Sequence, residues 1–188
     1  MRFNEKKAAQ VAAFFLFQAN GQMKVLKLMK LMYLAERASI AAYGEPMIGD
    51  RLVSMDNGPV LSATLNHFNG FTPSSEGGWD TWIGDRNKHN VALQADMHST
   101  DELDQLSDAD VKILQSIWAT YGHMGAFPLA DLTHEICPEW QDPRGSMKPI
   151  SYVQLLLVMG YSEEQARELD QRIAEHRVID TAFTSALA

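Results

Sequence analysis

Residues 24–38 read KVLKLMKLMYLAERA, and where this segment sits decides the architecture. Lys24, Lys27 and Lys30 recur every third residue inside an apolar run, in a chain whose formal net charge is −8. At about 100° per residue, Lys27, Lys30 and Arg37 fall within an arc of about 80°, while Val25, Leu28, Met29, Leu31, Met32 and Ile40 take most of the remaining girth. A helix apolar around most of its circumference escapes water only inside a bundle, with neighbours on several sides. The segment therefore predicts a central buried helix from about residue 22 to 42. Its cations read most simply as a solvated seam, with stems along apolar neighbours and ammonium groups in water or beside carboxylates. A partner-binding groove lined by the same cations is the sharper alternative. A membrane-surface helix needs cations spread over one broad face, and Leu26 and Leu34 intrude into this arc.

Working outward, Asn4 can cap a first helix reaching about Gln18, with Ala19, Asn20 and Gly21 as its stop. Its charged start and apolar continuation mimic a secretion signal. Glu5 and Gln10 interrupt that pattern, and a core helix fits better. The stretch also falls short of the roughly 18 residues that cross a bilayer. Gly44 and Pro46 end the central helix. RLVSM follows as an extended piece, and Asn57-Gly58 as a turn. Pro59 suits a first helical position, opening a third helix through Leu61, Leu65 and Phe68. DTWIG and NVALQ read as two hairpin strands around DRNKH, forming a small sheet with RLVSM. Ser107 with Asp110 is a capping box before a helix whose Val111, Leu114 and Trp118 share one face. PLADLTHE, ISYVQLLLVMG and a long helix opened by Ser162 with Gln165 complete a mostly α chain.

A composition of 46% hydrophobic and 21% charged residues over 188 positions describes one ordinary globular domain. The single Cys137 permits no intrachain disulfide, and no zinc-type spacing is present. The cytoplasm is the natural compartment. Residues 1–37 hold seven Lys/Arg against two Asp/Glu, leaving nine against twenty-two for the rest. Such an acidic surface repels phosphate backbones, so no nucleic acid is expected as partner and a basic protein surface suits it better.

Nucleophile elbow, phosphate loop, dinucleotide fingerprint and metalloprotease spacing are all missing from the sequence. The six histidines place no two on one helical turn, so neither a metal nor a cofactor is expected. His134, beside Glu135 and near Trp140, is the most site-like cluster, able to serve as an acid or base inside a pocket. The plainer reading is that His134 fixes its own turn while Trp140 fills core volume.

Four stretches in order, LKLMKLMYLAE, YGEPMIGDRLVSMDNGPVLSATL, LSDADVKILQSIWATYG and LADLTHEICPEW, resemble the Panacea domain of the SocA-like antitoxin family. The matching positions are Lys27, Lys30, Tyr33 and Leu34; Gly49 and Asp50; Gly58, Pro59 and Val60; and Thr133, His134 and Trp140. Leu61 and Cys137 depart from the pattern. The resemblance spans residues 22–142, within a single domain over 1–188 that adds a helical C-terminal extension over about 150–185. It implies a cytoplasmic, non-enzymatic antitoxin that neutralises a cognate toxin by direct protein–protein binding, or an adaptor that delivers the toxin to a cytoplasmic protease. No membrane partner is implied. The expected fold is mainly α, a helical bundle around a central buried helix with a small antiparallel sheet or hairpin. Tyr33, Asp50, Asp56, Asn57 and His134 are the candidate partner-binding residues.

Overall fold

The computed structural model describes residues 3–186, and its first helix shows how the core begins. Helix α1 (Glu5–Gln18) starts where the Asn4 side chain accepts the Lys7 N–H at 3.0 Å, an N-cap that satisfies one orphan donor. Residues 8–16 of this helix are all buried, so the stretch that mimics a secretion signal is part of the core. Asn20 and Gly21, both with positive φ, reverse the chain. The next residues are a strand rather than helix: β1 (Gln22–Lys24) pairs antiparallel with β4 (Asn90–Ala92). The central helix therefore begins three residues later than the sequence periodicity suggests. Only Met23 of β1 points inward, and its alternating burial is that of a strand with one solvated face.

Helix α2 (Val25–Tyr43) is the central element. It packs against α1, β1, β3 (Gly58–Leu61), α5 (Asp108–Tyr121) and α6 (Ala126–Ile136), and from Leu28 through Glu36 no residue is exposed. Gly44, at φ 68, closes it in the left-handed conformation. Neighbours on several sides are what its apolar girth requires.

Strands β2 (Leu52–Met55) and β3 (Gly58–Leu61) form a hairpin around Asp56 and Asn57, and β5 (Lys148–Ile150) pairs with the other edge of β2. Pro59 thus lies in a strand, and helix α3 (Ser62–Phe68) starts three residues after it. Pro59 is tolerated because β3 is an edge strand, where a missing N–H breaks no ladder. The β1–β4 pair is a separate sheet from β3–β2–β5. DTWIG is not a strand: helix α4 (Trp79–Trp82) occupies most of it, and only Ile83 bridges to Leu93. Glu5 explains this, since one of its oxygens accepts the Trp79 N–H at 2.8 Å and the Ser75 N–H at 3.0 Å. The carboxylate of α1 gathers that loop into a helical start.

Helix α5 (Asp108–Tyr121) opens on the Ser107–Asp110 capping box that its sequence announces. Helix α6 (Ala126–Ile136) extends beyond PLADLTHE at both ends. ISYVQLLLVMG divides, with Ile150 ending β5 and α7 (Tyr152–Val158) following. Helix α8 (Glu163–Ala186) begins with the Ser162–Gln165 exchange of hydrogen bonds. The architecture is mainly α with a small antiparallel β component.

Candidate functional site

The β2–β3 hairpin has two sides of different chemistry. One side faces α2, which presents Lys30, Tyr33, Glu36 and Arg37 to segments far along the chain. Lys30 is fully buried and donates from Nζ to the Pro59 carbonyl at 2.8 Å, closing the edge of β3. Burial drives its ammonium down to about 7. Gly58 turns the hairpin at φ 94, and a Cβ there would meet Thr133 Oγ1 at 2.7 Å, Lys30 Nζ at 3.0 Å and His134 Nε2 at 3.2 Å. Both the backbone conformation and the space demand glycine.

Glu139 Oε1 accepts the Tyr33 hydroxyl and the Arg37 Nε–H, each at 2.9 Å. Burial and then the Glu139 charge push the Tyr33 phenol far above its ordinary range. The same two causes push the buried Cys137 thiol up to about 12, so neither group is a nucleophile near neutrality. Burial works against the Arg37 charge, but the Glu139 carboxylate outweighs it and holds the guanidinium above its usual value. Glu36 accepts the Ile48 N–H at 2.8 Å and the Gly49 N–H at 2.9 Å, and burial pushes its carboxyl up to about 7. Asp50 accepts the N–H groups of Ala63 and Thr64, both at 2.8 Å, and so caps α3 from a distance.

The solvated seam expected along α2 is therefore corrected. Lys27 reaches the Gly122 carbonyl at 2.6 Å, at the C-terminal end of α5 where a cation is favoured, with its Nζ 5.4 Å from the Trp118 ring centroid. Arg37 lies on Glu139, and Lys30 is sealed. Lys27 and Arg37 keep part of their surface in water while meeting a carbonyl and a carboxylate, and Lys30 alone is sealed from it.

The other side of the hairpin borders a cleft of about 720 Å³ between the start of α2, the hairpin tip, residues 86–90, the start of α6 and residues 145–146. Val25, Leu26, Met29, Val60 and Leu65 line it, and Phe127, 63% exposed, stands beside them. Lys24, Arg86 and Lys88 bring three exposed cations to its rim against Asp56. Arg86 is held in place, donating from Nε to the Lys88 carbonyl at 2.7 Å and from Nη1 to Asn69 Oδ1 at 2.6 Å. Asp56 Oδ1 accepts the Gly145 N–H at 3.0 Å, tying the hairpin tip to the following loop.

The five candidate partner residues separate accordingly. Tyr33 and Asp50 are completely buried with internal partners, so neither offers surface to another molecule. His134 is half-buried with its ring 4.2 Å from that of Trp140, and its Nε2 has no hydrogen-bond partner. The expected hydrogen bond from His134 to its own turn is not made at that atom. Trp140 is only half-buried and donates to the Met55 carbonyl at 2.9 Å. Asp56 and Asn57 are exposed at the hairpin tip and line the cleft.

Residues 28–141, which run from the first turn of α2 through this whole hairpin assembly, match the family model described as antitoxin SocA-like, Panacea domain. The chain belongs to the SocA-like antitoxin family. No curated protein and no solved structure matches it. The Panacea match takes in the Lys30–Pro59 closure, the buried carboxylates Glu36 and Glu139, and most of the cleft. Lys24, Val25 and Leu26 precede the match, and Gly145 and Ser146 follow it, so the cleft crosses the border between the shared domain and this chain's own flanks.

Sequence reasoning missed Glu36 and Glu139 as buried tethers. The signal for Glu36 was a carboxylate in MYLAERASI, within the helix whose apolar girth already marks it as buried. It also missed Lys24, Arg86, Lys88 and Phe127 as neighbours. No periodicity carries that signal, because three separate segments supply them: β1, the loop before β4 and the start of α6.

Proposed function

We propose that this SocA-like protein acts in the cytoplasm as an antitoxin that neutralises a cognate toxin by direct binding, without catalysing a reaction. The observation that carries the reading is the Panacea match over residues 28–141 together with a cleft whose apolar lining and charged rim suit a protein partner. The buried chemistry supports binding over turnover. Lys30, Tyr33, Glu36, Arg37 and Glu139 are all committed to internal partners, and the Cys137 thiol is inactive near neutrality. One reduced, buried cysteine fits a reducing compartment. Among the described residues no helix is long and apolar enough to cross a membrane.

Co-expression with the product of the adjacent gene tests the reading. Growth rescue and a co-purified complex are expected, with the half-life of the toxin unchanged. Absence of both rescue and complex overturns it. Rescue with a shortened toxin half-life would instead assign the protein as an adaptor to a protease.

A further inference from the structure

We infer that the cleft beside the hairpin receives an amphipathic segment of a protein partner in which carboxylates flank apolar side chains. This rests on the reading of the chain as a toxin-binding protein, and it names the chemistry of the segment bound.

The chain as a whole is acidic, with a net charge of −8 and an excess of thirteen negative charges after residue 37. At the cleft the sign inverts. Lys24, Arg86 and Lys88 outnumber Asp56, and Asp56 already accepts a hydrogen bond from the Gly145 N–H. An approaching anion is repelled by most of the molecule and attracted here, so the charge pattern selects both the place and the orientation of docking. The apolar lining requires the occupant to bring side chains as well as charge. Met29 and Met55 lie in it, and their flexible thioethers can repack around different shapes.

The rim is ordered before anything binds. Arg86 is fixed by two hydrogen bonds, and the Lys24 ammonium sits 5.5 Å from the Phe127 ring centroid. Exposed Phe127 is a large apolar residue at the mouth, in the position of a binding anchor. A volume of about 720 Å³ takes a short segment rather than a domain face. A nucleic acid is disfavoured: three cations offer too little counterion release against a surrounding negative field, and the lining holds no tyrosine or tryptophan, with Phe127 and His89 as its ring side chains.

The experiment compares the wild-type chain with Lys24→Glu/Arg86→Glu/Lys88→Glu and with Phe127→Ala, all at exposed positions, after melting curves confirm unchanged folding. Lys112→Glu/Arg167→Glu/Arg172→Glu serves as the charge-matched control, since these cations are exposed elsewhere. Against the toxin encoded by the adjacent gene, the cleft triple variant is expected to lose roughly 10- to 100-fold in affinity, with the control within about twofold. Phe127→Ala is expected to lose about tenfold.

If wild type binds the toxin and the cleft variants bind equally well, the inference is overturned while the antitoxin reading stands. If wild type fails to bind the toxin, that reading fails, and two synthetic probes decide the inference alone. These are a short leucine–glutamate peptide and its leucine–lysine counterpart. Preferential binding of the acidic peptide, lost in the cleft triple variant, upholds the inference. Equal binding of both peptides, or displacement of the acidic one by a short single-stranded oligonucleotide, overturns it.

Discussion

Helices α2 and α8 are the two longest in the chain, and both carry charged side chains, yet they use them in opposite ways. On α2, Lys30, Glu36 and Arg37 reach Pro59, the Ile48–Gly49 backbone and Glu139, segments that only the fold brings near. On α8, Arg167 pairs with Glu163 and Arg172 with Glu168, each within one turn of its own helix and at half exposure or more. The same residue types therefore fasten the tertiary structure in one place and decorate a surface in the other. Burial is the difference: a desolvated charge that loses its partner is costly, whereas an exposed one returns to water.

The comparison breaks most readily at Glu139. Replacing it by alanine strands the Arg37 guanidinium and the Tyr33 hydroxyl around a site that is now apolar. The expected cost is on the order of 3–5 kcal/mol in denaturant unfolding. Glu139→Gln keeps a hydrogen-bond acceptor and is expected to fall between wild type and alanine. A cost below about 1 kcal/mol for the alanine variant would show that the pair is solvated, and the contrast with α8 would collapse.

A second test uses pH and sharpens the contrast without removing any atoms. Lys30 titrates at about 7 in the folded chain against an ordinary 10.5, so between those values the unfolded chain binds more protons and stability climbs as pH rises. Glu36 is the mirror case. Its folded value of about 7 lies above the ordinary 4.5, so between 4.5 and 7 the folded chain binds more protons and stability falls as pH rises. Together they predict a trough near neutrality, with limbs on the order of 2–4 kcal/mol each. Lys30→Met should flatten the alkaline limb and Glu36→Gln the acid one, read from unfolding midpoints across pH 5 to about 10. A single plateau in wild type, unchanged in both variants, would mean that neither group is desolvated.

What the sequence reveals and conceals follows the same division. Caps are local, and those at Asn4, Ser107 and Ser162 lie where side-chain spacing announces them. The apolar girth of α2 is also local, and it locates the central helix. Pro59 is ambiguous because a proline suits a helix start and an edge strand equally; its pairing with β2 makes it a strand, and Lys30, twenty-nine residues away, satisfies its carbonyl. Gln22–Lys24 continues a helical pattern, yet it becomes a strand because Asn90–Ala92 offers a ladder. DTWIG has strand composition, and Glu5 pulls its leading loop into a helical turn. The seam along α2 is less solvated than its sequence suggests for one reason: the partners of Lys27, Lys30 and Arg37 all come from distant segments. The cleft is hidden from the sequence for the same reason, because its cations and Phe127 are scattered over three segments.

The smallest expected effect lies on α8. Arg167 and Glu163 are 72% and 68% exposed, so the ion pair forms in a high dielectric and each partner keeps most of its hydration when the other is removed. Arg167→Ala is expected to change stability by less than about 0.5 kcal/mol, and 1 M salt should leave the difference near zero. Adding Arg172→Ala tests whether the two pairs act separately. They share no hydrogen bond, so the double variant should cost about the sum of two small terms. A loss above about 1.5 kcal/mol would mean that an α8 cation supports something beyond its own helical turn, which is the role Arg37 plays on α2. The exposed helix would then belong with the buried one, and exposure alone would no longer separate structural charges from decorative ones.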